Sequence, residues 1–176
     1  MKRLSVLAMA LCATAAVVLA DNGEQHCTVG QPAPDFTLPD INGDDLHLAD
    51  LSGRYRSTLI LFWGIWCPYC REIMVQLKAR YPELRAQGME VIAVSIRESG
   101  AKVSLFVDKL NPEFSVLIDE WASLKDSYAI RDVPLAVILD QDQVVRAAVI
   151  TTSAETIQSL IDQALAAHEP AATVPR

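Results

Sequence analysis

Glycine is scarce, 7 in 176 residues, which excludes a collagen-like or glycine-rich fibrous chain. Basic residues are outnumbered, 15 Lys and Arg against 22 Asp and Glu for a formal net charge of −7. With no basic cluster, a nucleic-acid backbone is excluded as a partner. No apolar run reaches the roughly 20 residues that span a bilayer; the longest, Leu4 to Leu19, has 16. Histidine is limited to His26, His47 and His168, which leaves little from which to build a histidine metal site. What is present is a chain 51% hydrophobic and 21% charged, enough apolar surface for a packed core and too much for disorder. The length fits one domain with short appendages, and no internal repeat is visible.

The first twenty residues stand apart from that core. Lys2 and Arg3 precede the apolar run, and Val18-Leu19-Ala20 offers a cleavage point before polar Asp21-Asn22-Gly23-Glu24, the layout of a secretory signal peptide. Residues 1–20 are therefore expected to be an export signal, with a retained N-terminal membrane anchor as the alternative. Cys12 follows bulky Leu11, which argues against lipidation. Residues 21–31 read as a flexible lead-in, 32–168 as the domain and 169–176 as a Pro- and Ala-rich disordered tail. Loss of the signal leaves Cys27, Cys67 and Cys70, an odd number that is not a disulfide framework.

Within the domain, the Pro-rich stretch Pro32 to Asp40 excludes a helix, and Asn42-Gly43 before Leu46-His47-Leu48 indicates a short β-hairpin. Ser57 to Trp63 is continuously apolar, the mark of a strand buried on both faces. From Cys67 the spacing becomes helical, with Cys70, Ile73, Met74 and Leu77 on one side. Tyr81-Pro82 is expected to interrupt this helix, and Gly88 to end a second short piece. Met89 to Ile96 is a second buried strand, completing a right-handed βαβ unit. A helix over Ala101 to Leu110, a strand over Phe114 to Ile118, a short helix over Glu120 to Tyr128, an antiparallel pair Leu135–Leu139 and Val144–Ile150, and a last helix capped by Ser153 follow.

Chemistry concentrates in Trp66-Cys67-Pro68-Tyr69-Cys70, at the junction of strand and helix. The first-turn N–H groups and the dipole of a helix stabilise an anion, so Cys67 should form a thiolate more readily than an ordinary cysteine and act as nucleophile. The three-residue spacing returns Cys70 to the same face as the resolving thiol. Pro68 suits the first helical turn, where its missing N–H costs nothing. Two other readings compete. A zinc site needs four ligands, and the remaining sources, His26 and Cys27, lie far away in sequence. A purely structural disulfide over so tight a loop constrains little of the unfolded chain.

The run Phe62-Trp63-x-x-Trp66-Cys67-x-x-Cys70 resembles the thioredoxin signature. Its surroundings, from Ala33-Pro34-Asp35-Phe36 through Val133-Pro134, are similar to the TlpA-like branch of exported thioredoxins, which includes proteins of cytochrome c maturation and lies close to the alkyl hydroperoxide reductase type of peroxiredoxin. The resemblance spans residues 32 to 167 and implies an α/β thioredoxin-like fold: a central mixed sheet flanked by helices, an N-terminal β-hairpin, and a helix-strand insertion after the βαβ unit. It also implies a cis Pro134 facing the cysteines, with Val133 presenting backbone groups to an extended substrate. Trp66, Pro68 and Tyr69 would touch that substrate. The chain departs from the pattern at three places. Leu61 replaces the buried acid, Ile73 replaces a glutamate with Glu72 one position earlier, and Val75 replaces a helix-kinking proline. Glu98 is the remaining candidate for an acid-base helper.

The expected function is thus an exported, periplasmic thiol-disulfide oxidoreductase needing no cofactor beyond the Cys67–Cys70 pair. By resemblance it is a monomeric reductant of protein disulfides, serving cytochrome c or copper-site assembly and recharged by a membrane-bound electron donor. Alternatives are a periplasmic disulfide oxidant, a thiol peroxidase and a Cu(I) metallochaperone. The peroxidase would want Thr or Ser where Gly64 stands, and the copper site a longer cysteine spacing with a distant His.

Overall fold

The computed structural model describes residues 26–167; the expected signal peptide, most of the lead-in, His168 and the tail lie outside this range. Ser57 to Trp63 forms β3, with all seven residues buried, because an apolar run without alternation has no face to give to water. It occupies the centre of a five-stranded sheet of order β5-β4-β3-β6-β7. β4 (Met89–Ile96) and β5 (Ser115–Asp119) run parallel to β3 on one side. β6 (Leu135–Asp140) and β7 (Val145–Ile150) complete the other side antiparallel. A hairpin of β1 (Thr37–Pro39) and β2 (Asp45–His47) precedes this sheet, with Gly43 supplying the left-handed turn residue at φ 89°.

Helix α1 (Pro68–Ala86) connects β3 to β4, α2 (Gly100–Leu110) connects β4 to β5, and α3 (Ala154–Ala166) closes the chain. Ser153 caps α3 by accepting from the Thr156 N–H, and left-handed Asn111 ends α2. This is the α/β mixed-sheet architecture expected, with α2 and β5 as the helix-strand addition after the βαβ unit.

Two expectations need correction. Pro82 does not interrupt α1, which runs through it. A mid-helix proline costs about 3 kcal/mol, but its neighbours hold the helix. Tyr81 Oη donates to the buried Glu90 carboxylate at 2.7 Å, and Leu84 is fully buried. Residues 120–128 are turns, not a helix. Ala122 and Ala129 adopt φ of 53° and 50°, which breaks any right-handed run. The buried Asp119 carboxylate accepts instead from the Ser123 N–H and hydroxyl and the Leu124 N–H. In the described part of the lead-in, the Cys27 N–H donates to Ser127 O and the Gly30 N–H to Val145 O.

The β6–β7 turn is fixed by Asp140, which is buried. Its carboxylate accepts from the Asp142 and Val144 N–H groups and pairs with Arg146 at 2.5 Å. Burial alone would raise this group's pKa, but the Val144 N–H and the Arg146 guanidinium outweigh it and hold the carboxyl below its ordinary range. A depressed pKa stabilises the fold above the unfolded value near ~4 and loses that contribution as pH falls through the folded value. Asp140→Asn is therefore expected to cost about 1–2 kcal/mol at pH 7. In denaturant titrations the gap to the parent should narrow as pH drops below ~4.

Candidate active site

β3 ends at Trp63, and Gly64-Ile65-Trp66 carries the chain to the start of α1. Cys67 is the N-cap of that helix, with φ −91° and ψ 110°. Its sulfur, not a hydroxyl or carboxylate, takes the capping position: the Cys70 N–H donates to Cys67 Sγ at 3.1 Å. A helix start that offers N–H groups to sulfur favours the thiolate over the thiol. Cys67 and Cys70 form a disulfide with Cα atoms 5.2 Å apart. Their environments differ, with Cys67 4% exposed and Cys70 fully buried, so the first sulfur is the one nearer a partner.

The flanking residues face outward. Trp66 is 59% and Tyr69 52% exposed, and Pro68 is exposed at the first helical position. Trp63 and Phe62 are fully buried core residues. The Val133–Pro134 peptide is cis, and the Val133 carbonyl oxygen lies 3.7 Å from Cys67 Sγ. The structure thus brings together Trp66, Cys67 and Cys70 with Val133-Pro134, which lie more than 60 residues further along the chain. A cleft of about 200 Å³ opens beside Trp66, with Val133 in its wall. A larger depression of about 420 Å³ between β7 and α3 contains neither cysteine.

Gly64 has a role that spacing alone does not reveal. A Cβ there would sit 2.5 Å from Trp66 Nε1, so the indole packs over the space a side chain would need. Glu98, the acid-base candidate, is engaged elsewhere: its Oε2 accepts from the Ile65 N–H at 2.8 Å and the Ser95 hydroxyl at 3.2 Å. It fastens the loop before Cys67 to the end of β4. Removing this acceptor leaves the Ile65 N–H and the buried Ser95 hydroxyl without it, so Glu98→Ala should destabilise by about 1–3 kcal/mol. Glu98→Gln, which keeps a side-chain carbonyl, should recover most of that in the same denaturation experiment. Glu72 is exposed and accepts from Gln76; Leu61 and Ile73 are buried apolar residues.

Cys27 is half-buried and unpaired with another cysteine, and burial pushes its thiol pKa up. Among the described residues, no three His, Cys, Asp or Glu side chains gather as a metal site. Nor is any helix there long and apolar enough to cross a membrane.

Residues 29–148 match the AhpC/TSA family. Thiol-disulfide oxidoreductase ResA of Halalkalibacterium halodurans is 33% identical over 112 residues, covering 64% of this chain and 62% of that protein. The chain thus spans a little under two thirds of that relative's length. ResA of Bacillus thuringiensis strain Al Hakam is 30% identical over 119 residues, 68% of each chain. Among solved structures, a Chlorobium tepidum protein assigned as thiol:disulfide interchange protein DsbE superposes with a TM-score of 0.70 at 24% identity, covering 78% of this chain and 98% of that one. With Cys67 capping the helix that carries Cys70, beside a cis-proline, the chain belongs to the AhpC/TSA family of the thioredoxin superfamily, alongside relatives that are thiol-disulfide oxidoreductases.

Proposed function

We propose that the protein is an exported, periplasmic thiol-disulfide oxidoreductase that reduces protein disulfides as a monomer, with cytochrome c or copper-site assembly proteins as its clients. The observation that carries the reading is the asymmetry of the pair: Cys67 caps the helix start and keeps a small exposure of 4%, while Cys70 is fully buried within the first turn. In the reduced protein, the Cys67 thiolate attacks one sulfur of a client disulfide. A Cys67–client S–S bond forms, and the client's own S–S bond breaks to release a thiolate that takes up a proton. Cys70 loses its proton and attacks Cys67 Sγ, forming the intramolecular disulfide and releasing the second client sulfur as a thiolate, protonated in its turn. Two electrons pass to the client, and a membrane-bound donor restores the dithiol.

Cys67, Cys70, Trp66, Pro68, Tyr69, Val133 and Pro134 make up the proposed site. The Val133 carbonyl, 3.7 Å from Cys67 Sγ, would pair with an extended client backbone. Export is supported by the basic-then-apolar N-terminus. Peroxidase chemistry is disfavoured at Gly64, because Trp66 occupies the space where a Thr or Ser side chain would begin. The test is turnover in both directions. The reduced protein should reduce insulin catalytically with a regenerating thiol, and the oxidised protein should be a poor donor of disulfides to reduced ribonuclease. Efficient donation with no insulin reduction would overturn the proposed direction.

A further inference from the structure

The cleft beside Trp66 carries a charge pattern opposite to that of the whole chain. Arg97, Lys125 and Arg131 line it with a single acid, Asp132, in a protein whose formal net charge is −7. All three cations are exposed, and none belongs to the salt bridges found among the described residues. Asp132 is turned to the backbone, its Oδ1 accepting from the Val133 N–H at 2.8 Å. The nearby Glu98 carboxylate is held by Ile65 and Ser95. The cations therefore have no anionic partner within the wall they form.

Arg97 also occupies an uncommon backbone position. It sits just past the end of β4 at φ 59°, a left-handed conformation that disfavours any residue with a Cβ and that glycine adopts freely. Its N–H donates to the Asp119 carbonyl at 3.1 Å, so the conformation is fixed by the neighbouring strand end. An arginine thus stands where the backbone favours glycine, and it lines the cleft.

We propose that this cleft receives an acidic stretch of the client polypeptide next to its reacting cysteine, with Arg97, Lys125 and Arg131 as specificity-determining residues. The inference rests on the thiol-disulfide reading above and names the client's local chemistry. The position is suited to it: the cleft wall includes Val133, whose carbonyl lies 3.7 Å from Cys67 Sγ, so a segment paired there carries its next residues past the cations. Because the chain as a whole repels anions, the attraction acts only at short range, within a Debye length of roughly 10 Å. The selected carboxylates are therefore those flanking the cysteine rather than the client's overall charge.

The test uses three peptides with the same intramolecular disulfide flanked by Glu, Ser or Lys, and neutral hydroxyethyl disulfide as a fourth substrate. Each is reduced in single turnover by the full reduced protein. At low salt the Glu-flanked peptide should react about tenfold faster than the Lys-flanked one, with the Ser-flanked peptide between. The ratio should fall to within about twofold at ~0.5 M salt. The triple variant Arg97→Gly, Lys125→Gln, Arg131→Gln should bring the low-salt ratio to about one. Arg97→Gly alone, which relieves the left-handed strain, should lower the ratio part of the way without loss of folding. Equal rates for the three peptides, or a preference for Lys, with hydroxyethyl disulfide still reduced, would overturn the cleft assignment and leave the redox reading standing. Failure to reduce hydroxyethyl disulfide would overturn both.

Discussion

Replacing Cys67 with serine is expected to lower protein-disulfide reduction by at least ~10³-fold, because a hydroxyl supplies almost no anionic nucleophile at neutral pH. The helix start that favours sulfur as an anion, with the Cys70 N–H on Cys67 Sγ at 3.1 Å, cannot bring a serine hydroxyl into that range. Cys70→Ser should fail differently. Its first step is intact, so a mixed disulfide between Cys67 and the client should accumulate to about one equivalent and persist until external thiol is added. Buried Cys70 is shielded from clients, which is why attack should divide between the two sulfurs so unevenly. Insulin turnover and non-reducing mass spectrometry of each variant check both outcomes. Equal loss in both variants with no trapped species would contradict the division of roles.

The largest effect on stability is expected from Phe62→Ala. Phe62 is fully buried in the central strand, its ring centroid 4.9 Å from that of Tyr128. Tyr128 also packs edge-on against Phe36 at 6.0 Å. Truncation removes a fully buried aromatic and its ring contact with Tyr128, leaving a cavity that its neighbours fill only in part. The expected cost is about 3–5 kcal/mol, a large part of the 5–15 kcal/mol that holds a typical domain. Tyr128 Oη donates to the Pro34 carbonyl at 2.6 Å. Tyr128→Phe should therefore cost only about 1 kcal/mol, the net worth of one hydrogen bond. Urea midpoints for the two variants give the comparison, and a Phe62→Ala loss no greater than that of Tyr128→Phe would contradict the packing account.

The sheet and its helices were legible in sequence where one physical signal dominated. Ser57 to Trp63 and Met89 to Ile96 are unbroken apolar runs, and both are strands buried along their whole length. Asn42-Gly43 marked the hairpin turn, and Ser153 marked the start of α3. Legibility failed where distant contacts decide. The spacing of Leu124 and Tyr128 imitates a helix face, but Asp119 at the end of β5 captures the next backbone donors and two alanines go left-handed. Pro82 reads as a breaker because local rules cannot see Glu90, which Tyr81 reaches from the neighbouring turn.

The cysteine pair itself was plain from spacing and context, and Val133-Pro134 only through a resemblance. Neither the seat that Gly64 gives Trp66 nor the cleft has a sequence signal. Arg97, Lys125 and Arg131 come together only because β4 ends beside β5 and the chain returns through the cis-proline. Glu98 was legible as an acid near the site, but not as the acceptor that ties down Ile65.

The central claim, that Cys67 and Cys70 are a reducing pair, is tested most directly by their reduction potential, measured by equilibrating the protein with glutathione buffers and counting alkylated thiols. The account predicts a value near or below about −250 mV, in the range of thioredoxin, where the dithiol is a competent donor to most protein disulfides. A value near about −120 mV would place the pair with strong oxidants and contradict the assignment as a reductant.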